Sequence, residues 1–284
     1  WLSVESAVLQ AKEKHGLISS EAVRHIEKIV KSILNSPYER DQLIRRSKEI
    51  EEETQHDMVA FVRAVQERLD AKYAGEFHKD LTSYDIEEPA TFLMIVRSLE
   101  IIIEDVKLLL AEILTRAKEH KQTIMAGRTH GQIAELTTLA KVLLEWYEAL
   151  LHDSKRLQQT EEMVSYGKIS GIVGNYGSLD PRVEESALEI LGLRRAEISS
   201  QILSRDRIAQ LISVLAILAG NLEKIGQDIR IYSQSEIGEI MEPRGKKQTG
   251  SSRMSSKRNP VKSERVCGLA RMLRAYLIPA IENI

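Results

Sequence analysis

The sequence predicts an all-α fold: a bundle of long helices preceded by a small N-terminal helical domain. Three observations predict it. Apolar residues recur in alternating steps of three and four over long stretches, the spacing that lines one face of a helix. Only six of 284 residues are proline, so little interrupts those helices. Aromatic residues are 5% of the chain, so the core has to be built mainly from aliphatic side chains.

The elements follow in order. Residues 1–80 read as shorter helices around a highly charged run from Tyr38 to Asp57, the small domain that leads into the bundle of residues 81–284. Thr82-Ser83-Tyr84-Asp85 has the form of a capping box, a threonine cap with an acid three residues on. Pro89 follows within a turn or two and is expected to kink or restart the helix. From Leu99 the apolar positions run Leu99, Ile102, Val106, Leu109, Ile113, Ala117. A helix from Thr91 to Glu119 would be ~43 Å long. Leu139, Leu143, Trp146 and Leu150 mark a second long helix. Ile208, Leu211, Leu215, Leu218, Leu222, Ile225, Ile229 and Tyr232 mark a third. Helices of this period pack as a left-handed bundle. Gly167, Gly171, Gly174 and Gly177 punctuate the connection before the third. That connection lacks the Gly-Lys-Ser/Thr ending of a phosphate loop and reads as a tight crossing between helices. Asp180-Pro181 reads as a cap followed by a first helical residue.

Composition excludes several functions. Charged residues are 29% and nearly balanced, with a net charge of -2, so there is no electrostatic case for nucleic acid or a membrane surface. Cys267 is the single cysteine, which rules out an internal disulfide and fits a reducing cytoplasm; it is expected as a small buried hydrophobe. The longest apolar run, near Leu211 to Leu218, is too short to span a bilayer, and no secretory signal is visible. His15, His25, His120 and His152 have no chemical context and are expected to be solvated. No metal-ligand spacing is present, and neither metal nor cofactor is expected.

Chemistry concentrates in residues 250–265. A polar, glycine-led loop carries Ser251, Ser252, Met254 and Lys257 into a helix start, with Asn259 suited to the N-cap and Pro260 to the first helical position. Lys257 and Asn259 then lie at the positive end of a helix, an arrangement suited to holding a carboxylate while charge builds on it. His130, in Gly127-Arg128-Thr129-His130-Gly131-Gln132, sits in a polar patch between two apolar helices, where an imidazole can protonate a leaving amine near neutral pH.

These stretches resemble the fumarase/aspartase superfamily, whose members eliminate fumarate from substituted succinates. Gly250 to Pro260 is similar to its Gly-Ser-Ser-x-Met-Pro-x-Lys-x-Asn-Pro loop, with Ser255 where the family has proline. Gly-Arg-Thr-His at 127–130, followed by Ala-Glu-Leu-Thr-Thr at 134–138, resembles a second fingerprint. Thr54-Gln55-His56-Asp57 resembles a third, with Gln55 where the family usually has arginine. His78 to Ser83, and Gln201 with Arg205-Asp206-Arg207, resemble a fourth and a fifth. The continuation Lys257 to Arg265 is most similar to the adenylosuccinate lyase branch.

The resemblance implies a fumarase/aspartase-like bundle and a carbon–nitrogen lyase that splits adenylosuccinate to AMP and fumarate in purine nucleotide biosynthesis. The succinylaminoimidazole carboxamide ribotide is an expected second substrate. Ser251 is implied as the base and His130 as the acid, with Lys257 and Asn259 holding developing charge and His56 orienting. Thr82, Ser83 and Gln201 are implied for the succinyl part, His78 and Arg265 for the phosphate, and Thr129, Arg205, Ser252 and Met254 as further substrate contacts. A homotetramer with active sites shared between subunits is implied as well. An N-terminal Arg-Tyr segment and a C-terminal helical domain are expected outside this chain, which reads as a core fragment. Two alternatives stay open: argininosuccinate lyase or another fumarate-releasing sister, and a non-catalytic, crystallin-like member of the fold. Arg265 discriminates among the lyases, because a phosphorylated substrate gives it a clear role.

Overall fold

The computed structural model of the chain describes residues 1–245 and 247–284. In chain order its elements are α1 (Leu2–Lys14), α2 (Ser20–Asn35), α3 (Pro37–Thr54), α4 (Asp57–Gln66), α5 (Ala71–Ala74) and α6 (Ser83–Glu119). A hairpin of β1 (Ile124–Thr129) and β2 (Gln132–Thr138) follows, then α7 (Leu139–Val164), β3 (Tyr166–Gly167), α8 (Pro181–Leu191) and β4 (Arg194–Arg195). The chain ends with α9 (Asp206–Tyr232), α10 (Val261–Ala275) and α11 (Leu277–Glu282). The fold is all-α; among the described residues, strands are confined to the antiparallel hairpin and a two-residue parallel pairing of β3 with β4.

The elements form two compact units, residues 1–97 with 165–204 and residues 98–164 with 205–284. The sequence suggests a single boundary near residue 80, whereas these units are discontinuous. The cause lies in α1. One set of its side chains, Leu2, Val4 and Leu9, joins Ile26, Val30, Met58 and Phe61 in one core. The other, Ala7, Val8 and Ala11, joins Val183, Ala187 and Leu188 of α8 in a second. A helix that is apolar on two sides needs cover on both, and the segment after α7 returns to supply it.

In this first unit the Asp180-Pro181 reading holds: the Asp180 side chain accepts from the Arg182 N–H and Pro181 opens α8. Thr82 precedes α6 as expected, and its N–H donates to Asp85 Oδ2 at 3.0 Å, one arm of the capping box. The helix then runs through Pro89 without restarting and reaches Glu119, 37 residues in all, so it begins well before Thr91. The glycine-rich connection is held by a buried ion pair. Lys168 Nζ lies 2.6 Å from Asp85 Oδ1, both side chains are fully buried, and the same carboxylate accepts from the N–H groups of Ser170 and Gly171.

The second unit holds residues 98–119 of α6, the hairpin, α7, α9, α10 and α11. The buried stripe of α6 is Leu99, Ile103, Val106, Leu110, Ile113 and Ala117, so Ile103 and Leu110 replace the expected Ile102 and Leu109. On α9, Ala209, Leu211, Val214, Leu218, Ala219 and Gly226 are buried; of the expected stripe only Leu211 and Leu218 are fully covered. Small residues let α10 approach closely there: Cys267, 2% exposed as expected of a small hydrophobe, and the Ser263 carbonyl face Gly226. Two acids set the register of α7 against α9. Trp146 Nε1 donates to Asp228 at 2.8 Å, and Asn221 donates to buried Asp153 at 2.7 Å.

Helix α9 is longer than its uninterrupted apolar run and stays apolar beyond it. It is 27 residues with a mean hydropathy of 1.5 in its most apolar window, long and apolar enough to cross a membrane by length and composition. Core helices of soluble proteins meet the same measure, and Ala209, Leu211, Val214, Leu218 and Ala219 are buried in the unit. The histidines also differ from expectation. His15 bonds Ser186 Oγ at 2.9 Å, His25 accepts from the Asp70 N–H and lies against Tyr73, and His120 bonds Thr123 Oγ1 at 3.0 Å; His152 alone of the four is exposed.

Candidate active site

His130 lies between two long helices as expected, at the tip of the hairpin that joins α6 to α7. Arg128 pairs with Ile133 and Thr129 with Gln132, which leaves His130 and Gly131 as a two-residue turn. Both have positive φ, 55° and 77°, as a type I′ turn requires. The ring is exposed, as is Thr129. A bulge at Gly127 sets the twist of the strands, and a Cβ there would lie 2.7 Å from the Glu135 carbonyl oxygen, so only glycine fits. The hairpin is tied down by Arg128. Its Nη1 and Nη2 reach the two carboxylate oxygens of Glu239 at 2.7 and 3.1 Å. The guanidinium holds the Glu239 carboxyl below the usual carboxylate range.

Glu239 begins the segment that leads to the loop of residues 244–256. Just beyond the loop, Lys257, Arg258 and Asn259 line a cleft of ≈ 910 Å³ together with Arg230 from the end of α9. Lys257 is exposed, and among the described residues no carboxylate pairs with it. The loop folds on itself. The Gly250 N–H donates to the Ser255 carbonyl, and Asn259 Nδ2 donates to the Gly250 carbonyl at 3.1 Å. A Cβ on Gly250 would lie 1.5 Å from the Lys257 carbonyl oxygen, so this neck closes only around glycine. Ser251 Oγ accepts from the Met254 N–H at 2.8 Å and donates to the Met254 carbonyl at 3.2 Å. Its hydroxyl is engaged inside its own turn, while Ser252 and Met254 are exposed.

The start of α10 departs from expectation. Asn259 does not cap it, because its side chain is spent on Gly250; Pro260 is the N-cap residue and makes no side-chain cap. The free N–H groups are taken by Glu242, which accepts from Lys262 N at 3.2 Å, Ser263 N at 2.7 Å and Ser263 Oγ at 2.8 Å. Desolvation pushes the Glu242 carboxyl up, but the Ser263 and Lys262 donors outweigh it and hold it below the usual range. A carboxylate thus occupies the positive end of the helix, and it is the protein's own. Arg265 lies one turn further on, exposed.

The remaining residues belong to the first unit, save one. His56 is the N-cap of α4, where Nδ1 accepts from the Val59 N–H at 3.5 Å, and Gln55 closes α3 in the left-handed region. His78, also at positive φ, has Nδ1 2.6 Å from Oε1 of Glu5, a carboxylate that is 1% exposed. Thr82, Ser83 and Gln201 are half-buried. Arg205 belongs to the second unit and is the N-cap residue of α9.

Within the second unit, then, Lys257 and Asn259 share a cleft, Ser251 stands on the adjoining loop and His130 on a hairpin braced to the segment before that loop. Sequence reasoning assigned no role to Arg128, Glu239, Glu242 or Arg230. Arg128 lay inside a quoted fingerprint and Glu242 precedes Pro243, but neither signal names a partner.

Comparison with known proteins gives the family. A family model described as lyase matches residues 1–274. The chain is 41% identical over its whole length to the adenylosuccinate lyase of Aquifex aeolicus and 40% identical to that of Thermotoga maritima, and it spans 63% of the length of each. Among solved structures it is similar to a fumarate lyase from Mesorhizobium sp. BNC1, with a TM-score of 0.84 at 25% identity over 98% of this chain and 60% of the other.

Proposed function

We propose an activity for this chain from one premise: it belongs to the lyase family. The reaction is elimination of fumarate from adenylosuccinate to leave AMP, and equally from the succinylaminoimidazole carboxamide ribotide, in a cytoplasmic setting. The observation that carries the reading is the hydroxyl-bearing loop at 250–256 leading into a cleft lined by Lys257 and Asn259. Relatives over the full length of the chain bear the name of that enzyme.

The chemistry divides among named atoms. Ser251, freed from Met254 and ionised to the alkoxide with its own proton lost to solvent, takes the proton from the carbon beside a succinyl carboxylate. A serine does this only where its alkoxide is stabilised, which closure of the loop over Lys257 provides. The electron pair left on carbon forms the new double bond as the carbon–nitrogen bond breaks. The departing nitrogen carries away that bond's electrons and receives a proton from His130. Lys257 and Asn259 hold the second negative charge on the succinyl carboxylate as it develops. His56 orients, Thr82, Ser83 and Gln201 bind the succinyl part with Thr129, Arg205, Ser252 and Met254 nearby, and His78 and Arg265 serve the phosphate.

The proposed assembly is a homotetramer with shared sites. Large apolar side chains on the long helices support it: Ile101 and Leu108 of α6 are 65% and 61% exposed, and Leu144 and Ile217 are each 45% exposed. Faces of that kind call for a partner.

The test is product analysis. The protein incubated with adenylosuccinate is expected to release fumarate and AMP in equal amounts and to leave argininosuccinate intact. Cleavage of argininosuccinate in preference would move the assignment to the sister enzyme, and release from neither would remove it.

A further inference from the structure

We propose that Arg230 is a substrate ligand, a guanidinium that grips one anionic group of the molecule bound in the cleft. The proposal rests on the fumarate-releasing reading and extends its site to a residue outside every motif that suggested it.

Arg230 lies in the last turn of α9, half-buried, on the wall of the ≈ 910 Å³ cleft that also holds Lys257, Arg258 and Asn259. Several arginines in this chain are spoken for. Arg46, Arg128, Arg182 and Arg274 each pair with a carboxylate. Arg230 does not: among the described residues no carboxylate or carbonyl accepts from its guanidinium. Two acids, Glu236 and Glu264, also line the cleft, and neither pairs with it. Partial burial costs the guanidinium solvation, and among the described residues no hydrogen-bond acceptor offsets that cost. A planar fork of donors facing a polar cleft is instead matched to a carboxylate or a phosphate, which it binds through two parallel hydrogen bonds. With Lys257 and Arg258, three cations line the cleft against two acids, an excess suited to an anionic ligand. The last turn of a helix also favours a cation, so Arg230 is stable there while empty.

Arg230→Gln removes the charge and keeps a polar side chain; Arg230→Lys keeps the charge and loses the fork. The expected result in adenylosuccinate cleavage is a KM raised about 10- to 100-fold in Arg230→Gln with kcat little changed, and partial recovery in Arg230→Lys. Product inhibition then identifies the group. The inhibition constant of fumarate rises if a carboxylate is gripped, and that of AMP rises if the phosphate is. An unchanged KM with both inhibition constants unchanged in a folded Arg230→Gln overturns the proposal, as does a loss confined to kcat. A second measurement needs no variant and no turnover: modification of Arg230 by phenylglyoxal in the native protein, read by peptide mass, with fumarate or inorganic phosphate present. Protection by either is expected, and equal modification with and without both overturns the assignment. Should the native protein fail to cleave adenylosuccinate, the reaction is wrong, and the protection experiment still decides Arg230.

Discussion

Arg128 and Glu239 are 111 residues apart in the chain and meet in a two-pronged ion pair, Nη1–Oε2 at 2.7 Å and Nη2–Oε1 at 3.1 Å. The pair joins the hairpin that carries His130 to the segment that opens onto the loop of Ser251. His130 and the segment before Ser251 are thereby tied to one carboxylate, which also accepts from the Ala126 backbone. Arg128 Nη1 also donates to the Ala126 carbonyl, which fixes the fork against its own strand.

The first prediction follows from that brace. Glu239→Gln should leave the helices folded, since the pair lies outside the helical core, yet lower turnover about 10- to 100-fold by misplacing His130. Steady-state kinetics beside a melting curve checks it. A melting temperature that falls while turnover per folded molecule stays normal would mean that the pair serves stability alone.

A pH dependence comes from Glu242. Its carboxyl is held below the usual range by the Ser263 and Lys262 donors, despite an opposing push from desolvation. A depressed carboxyl contributes stability that is present above its unfolded value and lost as pH falls through its folded value. The contribution is about 1 kcal/mol, modest because the site is half-exposed and screened. The difference in melting temperature between the native protein and Glu242→Gln should therefore be largest near neutrality and vanish as pH drops below about 4. A difference that persists unchanged into acid contradicts the assignment.

Much of the fold was legible beforehand, and the exceptions have physical causes. Alternating steps of three and four located the long helices because burial on one face imposes that period. The same rule misassigned Ile102 and Leu109: a run of apolar residues such as Ile101 to Ile103 offers several equivalent stripes, and only the neighbouring helix selects one. Asp180-Pro181 was legible because its cap is local. Asn259-Pro260 carries the same local signal, but Asn259 is drawn to Gly250 and the remote Glu242 covers the helix end instead. The discontinuous units, Arg128 with Glu239, and Lys168 with Asp85 depend on long-range contacts that no spacing encodes. The loop chemistry was readable because its residue types lie side by side in sequence.

The buried pair gives a stability prediction. Lys168→Met leaves the Asp85 carboxylate fully buried without its counter-charge. The expected loss is about 3–5 kcal/mol, and Asp85→Asn added to Lys168→Met should recover part of it. Chemical denaturation of the single and double variants measures both. A single variant as stable as the native protein would show that the pair contributes no net attraction.

The most direct test of the central claim, that the loop of residues 250–257 carries the base of a fumarate-releasing reaction, is turnover of adenylosuccinate by Ser251→Ala. Substrate affinity is measured alongside on the same preparation. The account predicts a fall in kcat of several orders of magnitude with affinity nearly unchanged, because Ser251 acts in the transition state while Lys257 and Asn259 remain to bind. Near-normal turnover in the variant would contradict it.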